Sequence, residues 1–65
     1  MCQTNVLLEK EDGSEEVLLE NVTSIEVLAE GLRVTSLFEG SKQLEKLAIR
    51  RIDFSGGKVY LSRLM

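Results

Sequence analysis

One cysteine, no histidine and eleven carboxylates decide what chemistry this 65-residue chain can offer. Without histidine, the commonest general base near neutral pH is missing. A cysteine nucleophile needs a neighbouring base or a lowered pKa, and the residues around Cys2 supply neither. The carboxylates Glu9, Glu11, Asp12, Glu15, Glu16 and Glu20 crowd around a predicted hairpin and read as a solvated charged rim. Gly56-Gly57 lacks the lysine–serine/threonine pair and the strand-to-helix setting of a phosphate-binding loop. These residues point away from an enzyme.

Cys2 supports a different chemistry. An initiator methionine before a small residue is commonly removed, which would leave cysteine at the N-terminus. Its α-amine and thiol, with ordinary pKa values of about 8 and about 8.5, then close a five-membered N,S chelate ring. The amide of Gln3 could add a second nitrogen in the same plane. Tetragonal, nitrogen-rich sites suit Ni(II) or Cu(II), whereas structural zinc wants four Cys or His ligands. One chain cannot complete such a site, but two copies of Cys2 could. If Met1 is retained, amine and thiol no longer share the five-membered ring, and the expectation is that the Ni(II) site is empty. Residue chemistry alone leaves open a simpler reading, a small residue at a chain end.

A second candidate is basic. Lys46, Arg50, Arg51, Lys58 and Arg63 fall in the C-terminal third and could share a face. With Phe38, Phe54 or Tyr60 as stacking platforms, that face suggests a small RNA-binding barrel. Two of the three aromatics, however, fall where a core residue is needed. The net charge of −3 also runs against nucleic-acid binding through the overall field.

The elements that must position these residues are strands. Period-two alternation marks Thr4 to Lys10, Glu15 to Glu20, Ser24 to Leu28, Leu32 to Thr35, Ile49 to Phe54 (with Ile52 and Phe54 on one face) and Lys58 to Ser62. Gln43 to Ala48 fits a strand or one turn of helix and is taken as a strand. Asp12-Gly13 and Ser55-Gly56-Gly57 are hairpin turns, Glu30-Gly31 is a turn, Asn21 breaks a run, and 36–41 is a loop. Six to seven short strands predict an all-β domain spanning 1–65. The expectation is a small SH3-like or Sm-like β-barrel, preferred because closure removes edges, or else a strongly curved antiparallel sheet.

A chain of this size buries only about 60% of its unfolded surface, and a lone cysteine excludes an internal disulfide. Apolar residues on both faces of two strands, Leu7 with Leu8 and Leu18 with Leu19, therefore predict a homodimer, most simply two-fold symmetric. No run approaches the ~20 apolar residues of a membrane helix. One free thiol and no basic-then-apolar leader predict a cytoplasmic protein.

The order of motifs resembles the CooT family of small nickel-binding proteins, also catalogued as predicted RNA-binding proteins. The resemblance rests on Met1-Cys2, Val6-Leu7-Leu8, Gly31-Leu32-Arg33-Val34-Thr35-Ser36-Leu37-Phe38, Leu47-Ala48-Ile49-Arg50-Arg51-Ile52-Asp53-Phe54 and Val59-Tyr60-Leu61. It implies a homodimer that binds Ni(II) through the thiolate of Cys2. It also implies a metallochaperone or nickel-sensor role beside a nickel enzyme or its maturation machinery. Phe38-Glu39-Gly40-Ser41-Lys42 departs from the family pattern, and the chain stops soon after its last strand; neither departure touches Cys2.

Overall fold

The computed structural model describes residues 4–64. Six strands form a single sheet: β1 (Thr4–Glu9), β2 (Glu15–Leu28), β3 (Gly31–Ser36), β4 (Gly40–Glu45), β5 (Leu47–Asp53) and β6 (Lys58–Arg63). Their order across the sheet is β4-β3-β2-β1-β6-β5. All neighbours are antiparallel except one pair: β1 and β6 run parallel, with Val6 beside Val59 and Leu8 beside Leu61. The expected all-β class holds, and the sheet is mixed rather than wholly antiparallel. It is curved but not closed, so the barrel form of the expectation gives way to the curved-sheet form.

Closure stops at one residue. The two edge strands β4 and β5 are consecutive in the chain and meet at Lys46, which stands at φ 62. Its N–H donates to the Glu30 carbonyl at 3.3 Å, and its carbonyl accepts the Leu64 N–H at 2.8 Å. The corner is thereby tied to the β2–β3 turn and to the end of the chain. With the corner held there, β3 approaches β5 across the core. The ambiguous 43–48 segment is resolved the same way, as two strands with a left-handed corner between them.

Asn21 does not end a strand. β2 runs through it for 14 residues, and Asn21 takes φ 57 while the register against β1 slips. Asparagine tolerates this left-handed conformation better than most residues, and a bulge bends the strand that carries it. The bend lets the first half of β2 pair with β1 and the second half with β3. Two of the seven anticipated strands are thus one bent strand.

The concave face holds the core: Val6, Leu8, Leu19, Leu32, Val34, Val59 and Leu61, with Leu18, Val22, Ile25, Leu44, Leu47 and Ile49 packed around them. Gly31 lies where a Cβ would run into the Leu44 carbonyl oxygen of β4, so no larger residue fits the β3–β4 pairing there. Leu7 and Tyr60 are buried too, side by side on the other face. The single chain therefore covers Leu7 and half-buries Leu18. The two-faced residues that motivated a dimer are satisfied without one.

Candidate functional site

The beginning of β1 is pinned by main-chain bonds. Thr4 lies opposite Val22, and Asn5 lies beside Lys58. The Asn5 N–H donates to the Gly57 carbonyl at 2.9 Å. The Asn5 side-chain carbonyl Oδ1 accepts the Asn21 N–H at 3.4 Å. The Asn21 carbonyl in turn accepts the Leu37 N–H at 2.9 Å. Asn5 and Asn21 thus knit the β5–β6 turn, the β2 bulge and the β3–β4 turn to the start of the first strand. Cys2 lies outside the described residues. Covalent reach keeps its Cα within about 7 Å of that of Thr4.

Both turns at this end carry apolar side chains outward. Phe54 is 84% exposed, Phe38 78% and Leu37 67%. The turns themselves are built from polar caps. Asp53 Oδ1 accepts the Gly56 N–H and the Ser55 hydroxyl, each at 3.0 Å, and Gly57 takes φ 67. The Gly56 N–H and then the Ser55 hydroxyl hold the Asp53 carboxyl below its ordinary range. Ser36, buried, accepts the Glu39 N–H at 2.9 Å on its hydroxyl. Sequence alternation had placed Phe54 inward with Ile52. In the fold, Asp53 ends β5 and starts the turn, so Phe54 belongs to the turn and faces solvent. The cue was local, because Phe54 and Phe38 each lie within two residues of a glycine that opens or closes a turn.

The opposite treatment falls on Tyr60, which is 5% exposed. On the outer face Val17, Leu7, Tyr60 and Arg51 are successive cross-strand partners. The Arg51 guanidinium carbon sits 3.7 Å from the Tyr60 ring centroid, within the range of a cation–π contact. Glu9 joins the same face. Its carboxylate receives Arg50 Nε at 3.0 Å and Arg51 Nη2 at 3.6 Å, and its side chain is 22% exposed. Consecutive arginines can reach one carboxylate because the β5 register slips between Ile49 and Arg51, a bulge that takes Arg50 out of the alternation. Glu9 therefore leaves the solvated rim to which the sequence reading assigned it.

The other acidic residues behave as a rim. Glu15, Glu16 and Glu20 are exposed, Glu16 with Lys10 at 3.3 Å. Asp12 caps the β1–β2 turn by accepting the Ser14 hydroxyl at 2.7 Å and the Ser14 N–H at 2.9 Å, bonds that lower its pKa. Among the described residues, no group of three or more His, Cys, Asp or Glu could hold a metal ion.

The anticipated basic face comes together only in part. Arg50 and Arg51 are engaged by Glu9, and Lys46 forms the corner. Lys58 and Arg63 begin and end β6, about 17 Å apart at the rise of a strand. Arg50 and Arg63 do line one concavity, with Lys10, but they share it with Glu9, Glu11 and Asp12.

The chain matches the model of the CO dehydrogenase accessory protein CooT over residues 1–62. Among solved structures it is similar to one assigned to CooT from Carboxydothermus hydrogenoformans. The two are 26% identical, the TM-score is 0.84, and the match covers 98% of this chain and 100% of that one. No curated protein matches. The family match begins at residue 1 and extends through β1–β5 and nearly all of β6, so it takes in the pinned strand start, both apolar turns and the position of Cys2. The chain belongs to the CooT family of CO dehydrogenase accessory proteins.

Proposed function

We propose that this protein is a nickel-binding accessory protein that receives Ni(II) on the Cys2 thiolate, one ion per homodimer, and serves the maturation of a nickel enzyme as carrier or sensor. The observation that carries the reading is the family match, which includes residue 2 and belongs to accessory proteins of CO dehydrogenase, itself a nickel enzyme. The chemistry of an N-terminal cysteine supports it: amine and thiolate close a chelate ring, and nitrogen–sulfur donors in a plane suit Ni(II). The fold contributes a fixed base, since β1 is paired from Thr4 onward. Nickel is cargo here, and the carboxylates of the described residues are committed to caps, ion pairs and solvent.

The test is a titration of Met1-free protein with Ni(II), followed by absorption. Thiolate-to-metal charge transfer is expected to grow with metal, to vanish in Cys2→Ser and to fade in acid as the ligand protonates. Salt should leave it unchanged, in contrast to a phosphate-binding surface, which loses affinity steeply with salt. Nickel binding that survives Cys2→Ser contradicts the reading.

A further inference from the structure

We infer that a second copy of this chain seats on the end of the sheet where β1 begins, with Phe38 of each copy packed against the Phe54 turn of the other across a two-fold axis. The inference rests on the reading above, in which two Cys2 thiolates share one metal, and it names the surface that brings them together.

Three observations carry it. The first is what that end exposes. Phe54, Phe38 and Leu37 project from two turns whose main chains are tied to Asn5, Asn21 and Asp53. Their outward placement is therefore built into the turn hydrogen bonds, so little further ordering is needed on docking. The second is area. Two phenylalanines and a leucine exposed to this degree offer about 400 Å² per copy. That is near half of the ~800 Å² per partner in a standard interface, and it would form the apolar centre of one. Two-fold symmetry makes the contact reciprocal, so each Phe38–Phe54 pairing occurs twice.

The third is reach. About 7 Å of chain separates Thr4 from Cys2. Adding a cysteine side chain and a metal–sulfur bond of ~2.3 Å on each side, two thiolates on one ion allow at most about 25 Å between the two Thr4 Cα atoms. A second exposed apolar region, the groove lined by Val27, Leu28, Leu32, Leu47 and Leu64, lies at the far end of β6. End-to-end docking through that groove would hold the two strand starts about two strand lengths apart, ~35 Å. The turn end satisfies the limit and the groove does not.

The experiment compares two double variants of the full chain by sedimentation at low micromolar concentration. Phe38→Ser/Phe54→Ser is expected to give a folded monomer near 7.3 kDa, with the dimer dissociation constant raised about 100-fold or more. Val27→Ser/Leu64→Ser is expected to remain dimeric. A dimer that survives the first pair, or is lost with the second, overturns the inference. So does a monomeric parent protein.

A covalent readout covers the case in which the first variant fails to fold. With Cys2→Ser in the background, Phe38→Cys/Phe54→Cys treated with a disulfide oxidant should yield a dimer linked between positions 38 and 54. Links only within one chain, or between 38 and 38, overturn the reciprocal geometry. Cys2→Ser alone is expected to stay dimeric. Should it stay dimeric and still bind nickel, the nickel reading fails while the interface stands.

Discussion

Tyr60 and Phe54 flank one turn of the β5–β6 hairpin, and the fold treats them oppositely. Tyr60 lies mid-strand on the outer face, flanked by Leu7 and capped by Arg51, whose guanidinium is shared with Glu9. Phe54 lies one residue past the end of β5, where Asp53 has already turned the chain, and it stays exposed among the described residues. The difference teaches how a thin sheet manages two faces. On the outer face, charged side chains lie flat over apolar ones, so burial is achieved by polar residues with long stems. At the turn end, short polar caps fix the backbone and leave the aromatics outside. Apolar character alone does not decide which residues are core; position relative to the caps does.

That contrast yields its largest effect by truncation. Tyr60→Ala should cost about 3 kcal/mol, within the range for losing a buried aromatic, measured by urea unfolding and independent of protein concentration. Phe54→Ala should change the stability of the isolated monomer by no more than about 0.5 kcal/mol. Any larger loss should appear only at concentrations where the proposed dimer would form, because association stabilises by mass action. Equal, concentration-independent losses for both would erase the contrast.

A smaller effect separates the cap on Tyr60 from the packing beneath it. Glu9→Gln weakens both arginine contacts while keeping shape. The arginines are about half exposed or more, so screening limits the loss to about 1 kcal/mol or less. Added salt should shrink the difference between variant and parent. A loss that grows with salt would mean that the carboxylate does something other than hold the two arginines.

The corner gives a still smaller change. Lys46 is a non-glycine residue at φ 62, a conformation that costs an L-residue about 1–2 kcal/mol. Glycine removes that strain but loses about 0.5–1 kcal/mol of unfolded-state entropy. Lys46→Gly should therefore stabilise slightly, by roughly 0.5 kcal/mol. Clear destabilisation would mean that the lysine side chain itself holds the corner.

The last effect is one of pH. The Ser14 hydroxyl and N–H lower the Asp12 pKa, and the Gly56 N–H and Ser55 hydroxyl lower that of Asp53. A carboxyl depressed in the folded state stabilises above its unfolded pKa of about 3.9. That support is lost as pH falls through the folded value. Carboxyl carbon shifts followed by NMR should place both midpoints below the ordinary aspartate value of about 3.9. Protection of the Gly56 and Ser14 amides against exchange, taken relative to the intrinsic rate at each pH, should fall over the same acid range. Midpoints at or above the ordinary value would contradict the caps.

Much of the fold was legible because alternation and turn chemistry agree. The Asp12-Gly13 and Gly56-Gly57 turns form with positive φ at Gly13 and Gly57, and the strands between them carry inward Val and Leu. What was not legible is non-local. Asn21 reads as a break, and only the pairing of β2 with two different strands makes it a bend. The parallel β1–β6 pair joins the first and last strands, a relation no local pattern encodes. Arg50-Arg51 disrupts alternation, and its bulge assigns both side chains to Glu9 only once β1, β5 and β6 are adjacent. The candidate site divides the same way. Cys2 stands out by chemistry, whereas alternation with Ile52 draws Phe54 toward the core, and Phe38 lies in a loop that no alternation orients.

The central claim, nickel held by Cys2 between two copies, is tested most directly by native mass spectrometry of the Met1-free protein with excess Ni(II), buffer-exchanged before measurement. The account predicts a dimer carrying one nickel ion and, in Cys2→Ser, a dimer carrying none. One nickel per chain, or nickel retained by the Cys2→Ser dimer, would contradict it.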